Sequence, residues 1–166
     1  YSKGCDSREI FSGLKIAELP TFEDELNKNT VIYIDVQWVN SLAKGRGLEK
    51  EIVSFMQEQV IEELLEIYPN EIDEGETSLA GALFSIYSAT DEQFIVIIDE
   101  WDCLFREAKD NQSLQDDYVN FLRGMFKGGG ADAFIKLAYI TGILPIKKYG
   151  TQSALNNFRE HTMVQP

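Results

Sequence analysis

The chain has 166 residues, the size of one ordinary domain. Its hydrophobic share of 44% and charged share of 26% exclude a disordered, collagen-like or low-complexity chain. A net charge of −13, from 28 acids against 15 bases, argues against a generally basic nucleic-acid binder and against a module that clings to anionic lipid. The longest uncharged run, Thr77 to Thr90, is 14 residues, short of the ~20 that a bilayer requires. Cys5 and Cys103 make neither a disulfide framework nor a zinc set, and a reducing, cytoplasmic home is expected. The chain opens at Tyr1 without Met or a signal peptide and stops at Pro166. It is read as an interior piece of a longer protein, a single partial domain over residues 1–166.

Three apolar runs have strand character. The first is Val31 to Val36, the second Phe94 to Asp99, and the third Ile135 to Thr141. The second is apolar on both parities, which suits a strand buried on both faces of a parallel sheet. Between them lie segments of helical period. Glu49 to Tyr68 carries Ile52, Met56, Val60, Leu64 and Tyr68 at four-residue spacing, with Glu51, Glu58, Glu62 and Glu66 opposite. Thr77 to Thr90 repeats the apolar spacing with Leu79, Leu83, Ile86 and Tyr87. A third helix is expected from Ser113, where Ser113 to Asp116 resembles a capping box. Its apolar face is Leu114, Tyr118, Phe121, Leu122 and Met125, and Gly128 to Gly130 stops it. Strands alternating with such helices predict an α/β fold with a mainly parallel sheet and right-handed crossovers.

Charge is uneven. Glu51 to Asp102 holds fourteen acids and no Lys or Arg, whereas Arg123 to the end holds six bases and two acids. Two faces of different sign are expected. A solvated acidic helix and loop accounts for Glu58 to Glu76. Asp99, Glu100 and Asp102 differ because of their position at a strand end.

Ligands of open α/β sheets bind beyond the carboxyl ends of the strands. The residues there are Asp35 and Gln37, then Asp99 to Asp102, then Thr141 and Gly142. Phe94 to Glu100 has the form of a Walker B strand, in which an apolar strand fixes an Asp that holds Mg²⁺ and a following Glu handles the attacking water. The alternative is that Asp99 only caps a helix starting near Trp101. A phosphate-binding G-x-x-x-x-G-K-[ST] loop is absent, since no glycine in the chain is followed by Lys.

The run Phe94 to Asp102 resembles the apolar-strand-then-D-E-[YW]-D signature of the bacterial AAA-ATPase-like family. Tyr139 to Gly150 resembles that family's second signature, a strand ending in Thr-Gly, and Ser153 to Phe158 resembles the third, centred on Asn-Asn. The stretch from Tyr1 to Leu14 is similar to the segment after the family's first helix. The resemblance spans nearly the whole chain and implies a three-layer P-loop NTPase domain whose first strand, phosphate loop and fifth strand are missing. It implies that the three strands are adjacent in the order 4-3-2 of the family's 5-1-4-3-2 sheet. It implies ATP as ligand and Mg²⁺ as cofactor in the intact protein, with Asp99 on the metal, Glu100 as the water-activating acid and Thr141 near the γ-phosphate. Asn156 and Asn157 match the third signature; Asn156 is carried as a nucleotide-side candidate, and a plain turn or cap pair is the alternative. Thr141 has a turn hydroxyl as its alternative. Asp102 is expected in a structural ion pair, Trp101 in packing and His161 at the surface; Lys147 and Lys148 either face phosphates or are simply solvated.

Two other classes stay open. Asp99 with Glu107-Ala108-Lys109 mimics the D…E-x-K of metal-dependent nucleases. A non-catalytic interaction module would use the acidic Glu51 to Asp102 region as its surface. Loss of the first strand is expected to leave Ile135 to Thr141 with an unpaired edge, favouring self-association or closure by the stretch from Gln152 to Pro166.

Overall fold

The computed structural model describes residues 2–127, 130–145 and 155–161. Three strands, β1 (Thr30–Asp35), β2 (Phe94–Asp99) and β3 (Ile135–Ile140), form one open sheet in the order β1-β2-β3. Both pairings are parallel, with Asp35 level with Asp99 and Ile98 level with Ile140. The fold is therefore α/β with an all-parallel sheet, consistent with an incomplete P-loop-like fold.

The helices form where caps and apolar faces agree. After the short α1 (Arg8–Phe11) and α2 (Phe22–Glu25), α3 (Val36–Arg46) follows β1 without a loop. The Asp35 side chain accepts from Trp38 N at 2.9 Å and so caps α3, and Gly47 ends it at φ 72°, a conformation that favours glycine. The sequence reading has no counterpart for α3, because it runs Val36 into the strand. α4 (Ile52–Ile67) and α5 (Leu79–Thr90) match the expected periods. Ser78 caps α5 by accepting from Gly81 N, and Asp91 closes it in the left-handed region. α6 (Cys103–Glu107) is a single turn and a half, α7 runs Gln112–Lys127 and α8 Ala131–Phe134. The expected capping box at Ser113 is replaced by Asn111, two residues earlier, whose side chain accepts from Leu114 N at 3.1 Å. Gly128 and Gly129 lie outside the described residues.

The core lies on one face of the sheet. Ile32, Ile34, Val96 and Ile98 are buried there against α3 to α7, with Met56, Leu83, Ile86, Tyr118 and Leu122. Strand side chains alternate, so Tyr33, Ile97, Leu137 and Tyr139 point the other way; Tyr33, Leu137 and Tyr139 are 58%, 56% and 61% exposed. The segment Leu155 to His161 returns beside α7: Leu155 is buried, Phe158 meets Phe126 edge-on at 5.1 Å, and Asn157 donates to Phe126 O.

Candidate functional site

The site begins with Asp99 at the C-terminal tip of the central strand. Its Oδ1 accepts from the Thr141 hydroxyl and from Glu100 N at 3.0 Å, and its Oδ2 accepts from the Tyr33 hydroxyl at 3.1 Å. Both neighbouring strands thus donate to one carboxylate. These donors hold Asp99 below the usual carboxylate range, with the Thr141 bond the largest cause and Tyr33 and Glu100 N adding to it. Partial desolvation works against them. The Tyr33–Asp99 bond raises the Tyr33 phenol above its ordinary value.

Glu100 sits at φ 52°, an uncommon conformation for a residue with a Cβ. Strained positions of this kind cluster at functional sites. The turn lets Trp101 N reach Thr141 O at 3.0 Å, one step beyond the ladder bond from Thr141 N to Ile98 O at 2.9 Å. The tips of β2 and β3 are therefore tied together. The Glu100 carboxylate is bound by Arg106 Nη2, and Arg106 Nε also donates to Asp102 Oδ2 at 3.0 Å.

Asp102 is fully buried and accepts two further bonds, from Ile143 N at 3.3 Å and Leu144 N at 3.0 Å. It anchors the chain leaving β3. Trp101, 1% exposed, packs against Phe105 with ring centroids 5.5 Å apart. Gly142 is held between these two residues: a Cβ there would lie 2.4 Å from Trp101 Cδ1 and 2.6 Å from Asp102 Oδ1. The Thr-Gly pair thus has a physical reason for each member, a hydroxyl for Asp99 and an absent side chain beside Trp101.

Asp35 and Gln37 end elsewhere. Asp35 caps α3, and Gln37 is exposed within it. Asn156 lies exposed on the turn after Leu155, and no described hydrogen bond or ion pair ties it to Asp99; its neighbour Asn157 has the structural role at Phe126. Lys147 and Lys148 lie outside the described residues, and His161 is exposed. Glu107 faces α3, where Asn40 at 2.8 Å and Lys44 bind its Oε2. The D…E-x-K trio is accordingly not assembled, and no group of three His, Cys, Asp or Glu gathers around a common point among the described residues.

Sequence reasoning missed Tyr33 and Arg106. Tyr33 became visible only with the register, which sets it on the side of β1 that Asp99 occupies on β2. Arg106 had a weak signal, its i,i+4 spacing from Asp102 on a helix.

An all-parallel open sheet with an Asp-Glu pair at its central tip and a hydroxyl beside it defines an α/β domain whose candidate site lies at the carboxyl ends of the strands. The chain belongs to the predicted AAA-ATPase family, whose model matches residues 1–151. Comparison with curated proteins and with solved structures gave no match.

Proposed function

We propose that this chain supplies the metal and water half of an ATP-hydrolysing site, with the phosphate cradle contributed from outside these residues. The observation that carries the reading is Asp99, held ionised at the tip of the central strand by donors from both flanking strands. A carboxylate offers about four lone-pair positions. Three are used here, which leaves one for a metal-bound water. Mg²⁺ takes one or two carboxylates together with phosphate oxygens and waters, so a single Asp suffices and a cage of three acids is not required. When bound, Mg²⁺ would neutralise charge on the phosphates. Asp99 would hold the metal through a water, Glu100 would accept the proton of the attacking water, and Thr141 would lie near the terminal phosphate. Asn156 is the remaining nucleotide-side candidate, and nothing in its surroundings adds support.

The residues described here lack the backbone donors and Lys that position a triphosphate, and phosphoryl transfer depends mostly on that positioning. The 166 residues alone are accordingly expected to be inactive. In the intact protein, Glu100→Gln should nearly abolish turnover while ATP still binds, and turnover at the unsubstituted rate would refute the assignment.

A second reading, a non-catalytic interaction module, is favoured by the bare sheet face at Tyr33, Leu137 and Tyr139. Nucleotide binding by the intact protein, lost when Asp99 is changed to Ala, would count against it. A cytoplasmic location is supported by two unpaired cysteines; among the described residues, no helix is long and apolar enough to cross a membrane.

A further inference from the structure

Among the described residues, the outer edge of β1 is open: β1 pairs with β2 on one side only, and a groove of about 370 Å³ touches every one of its residues from Thr30 to Asp35. Side chains of a strand alternate between faces, so a cavity that meets both parities runs along the backbone edge. The far wall is α4, through Val60, Glu63, Leu64 and Ile67, and Trp38 of α3 borders it. Trp38 and Ile67 are 60% and 66% exposed. The groove therefore joins a row of unpaired strand backbone to an apolar floor.

Its charge is of one sign. Glu63 lines it, and Glu58, Glu62 and Glu66 are exposed on the same helix. None of the four has an ion pair among the described residues. No Lys or Arg occurs between positions 51 and 102 to balance them.

We propose that the β1–α4 groove binds an extended segment of another protein in which apolar residues alternate with Lys or Arg. The segment would add a strand to β1. Its backbone would pair with the open edge, its apolar side chains would lie against Trp38, Leu64 and Ile67, and its cations would face Glu63 and Glu66. Backbone pairing gives such complexes affinity and alternate side chains give them specificity. The groove shares Tyr33 with the Asp99 cluster, but the proposal does not depend on ATP hydrolysis.

The probe is a labelled peptide of roughly eight residues alternating valine with lysine, long enough to run the ~20 Å of a six-residue strand. Fluorescence anisotropy at physiological salt should give saturable one-to-one binding. Methylating the peptide's alternate backbone amides should weaken binding about tenfold, the loss of one or two net hydrogen bonds. Glu63→Lys with Glu66→Lys, and separately the exposed Trp38→Ala, should each weaken it about fivefold or more, with circular dichroism unchanged. No binding, equal binding of the methylated peptide or of a glutamate-for-lysine peptide, or unchanged affinity in both variants would overturn the proposal. So would sedimentation showing a dimer abolished by Trp38→Ala, since a second copy would then occupy the groove.

Discussion

Tyr33 reaches Asp99 diagonally across the β1–β2 ladder. It pairs with Ile97, two residues before Asp99, yet its hydroxyl donates to Asp99 Oδ2 at 3.1 Å. Diagonal neighbours on one sheet face lie ~7–8 Å apart at Cα, within reach of a tyrosine. With Thr141 on the other flank, the central carboxylate is held from two strands, and its ionisation reports on the integrity of both pairings.

Removing either donor should raise the Asp99 pKa toward its ordinary value, and Thr141→Val should raise it more than Tyr33→Phe, because the Thr141 bond is the larger cause. The sign for stability follows by linkage. A carboxylate depressed on folding contributes stability above its unfolded pKa, near 4. That contribution is lost as pH falls through the depressed folded value. Both variants should therefore lose less stability than the parent between about pH 5 and that lower value. Side-chain carboxyl NMR titration together with acid denaturation measures this; an unchanged Asp99 titration in Thr141→Val would count against the arrangement.

Arg106 joins the surface carboxylate Glu100 to the buried carboxylate Asp102. Arg106→Ala strips Asp102 of its counter-charge but leaves the bonds from Ile143 N and Leu144 N. The expected cost is about 3 kcal/mol, the low end for breaking a buried pair. Glu100→Ala, which removes only the outer partner, should cost under about 1 kcal/mol. Urea midpoints with unchanged slopes would check the ordering, and equal costs would contradict it.

Gly142→Ala should destabilise by roughly 1–3 kcal/mol, the range for an overpacked core. The added Cβ falls 2.4 Å from the Trp101 ring and 2.6 Å from Asp102, and both neighbours are buried and held. A thermal midpoint equal to the parent's would show that the Trp101 side chain yields.

The three strands and α4, α5 and α7 were legible in the sequence from their patterns: β2 is apolar from Phe94 to Ile98, and α4 repeats every four residues; the strand order came from the family resemblance. α3 was not. Val36 continues the apolar run of β1, so the boundary rests on the Asp35 cap and Gly47, local signals without a strong face. Asp99, Glu100 and Thr141 were legible as strand-end residues. Their joint geometry was not, since the left-handed turn at Glu100 and the Tyr33 bond arise from pairing between residues 42 and 66 positions apart.

Among the described residues, β3 has one neighbour and an open edge, and its outward side chains Leu137 and Tyr139 are largely exposed. Lys136, the one charge on the strand, is turned to Glu25 at 2.7 Å and Asn29 at 2.9 Å, so it does not guard the edge. The segment Leu155 to His161 stands across a groove of about 590 Å³ from β3 and, among its described residues, is not part of the sheet. An apolar edge of this kind invites pairing with another chain. The 166-residue chain is therefore expected to self-associate through β3. Sedimentation across a concentration series should show a dimer, and Leu137→Lys with Tyr139→Lys should return it to monomer by placing like charges at the interface. Amide exchange along Ile135–Ile140 should slow as concentration rises. A monomer at every concentration with fast exchange along β3 would show that the edge is simply solvated.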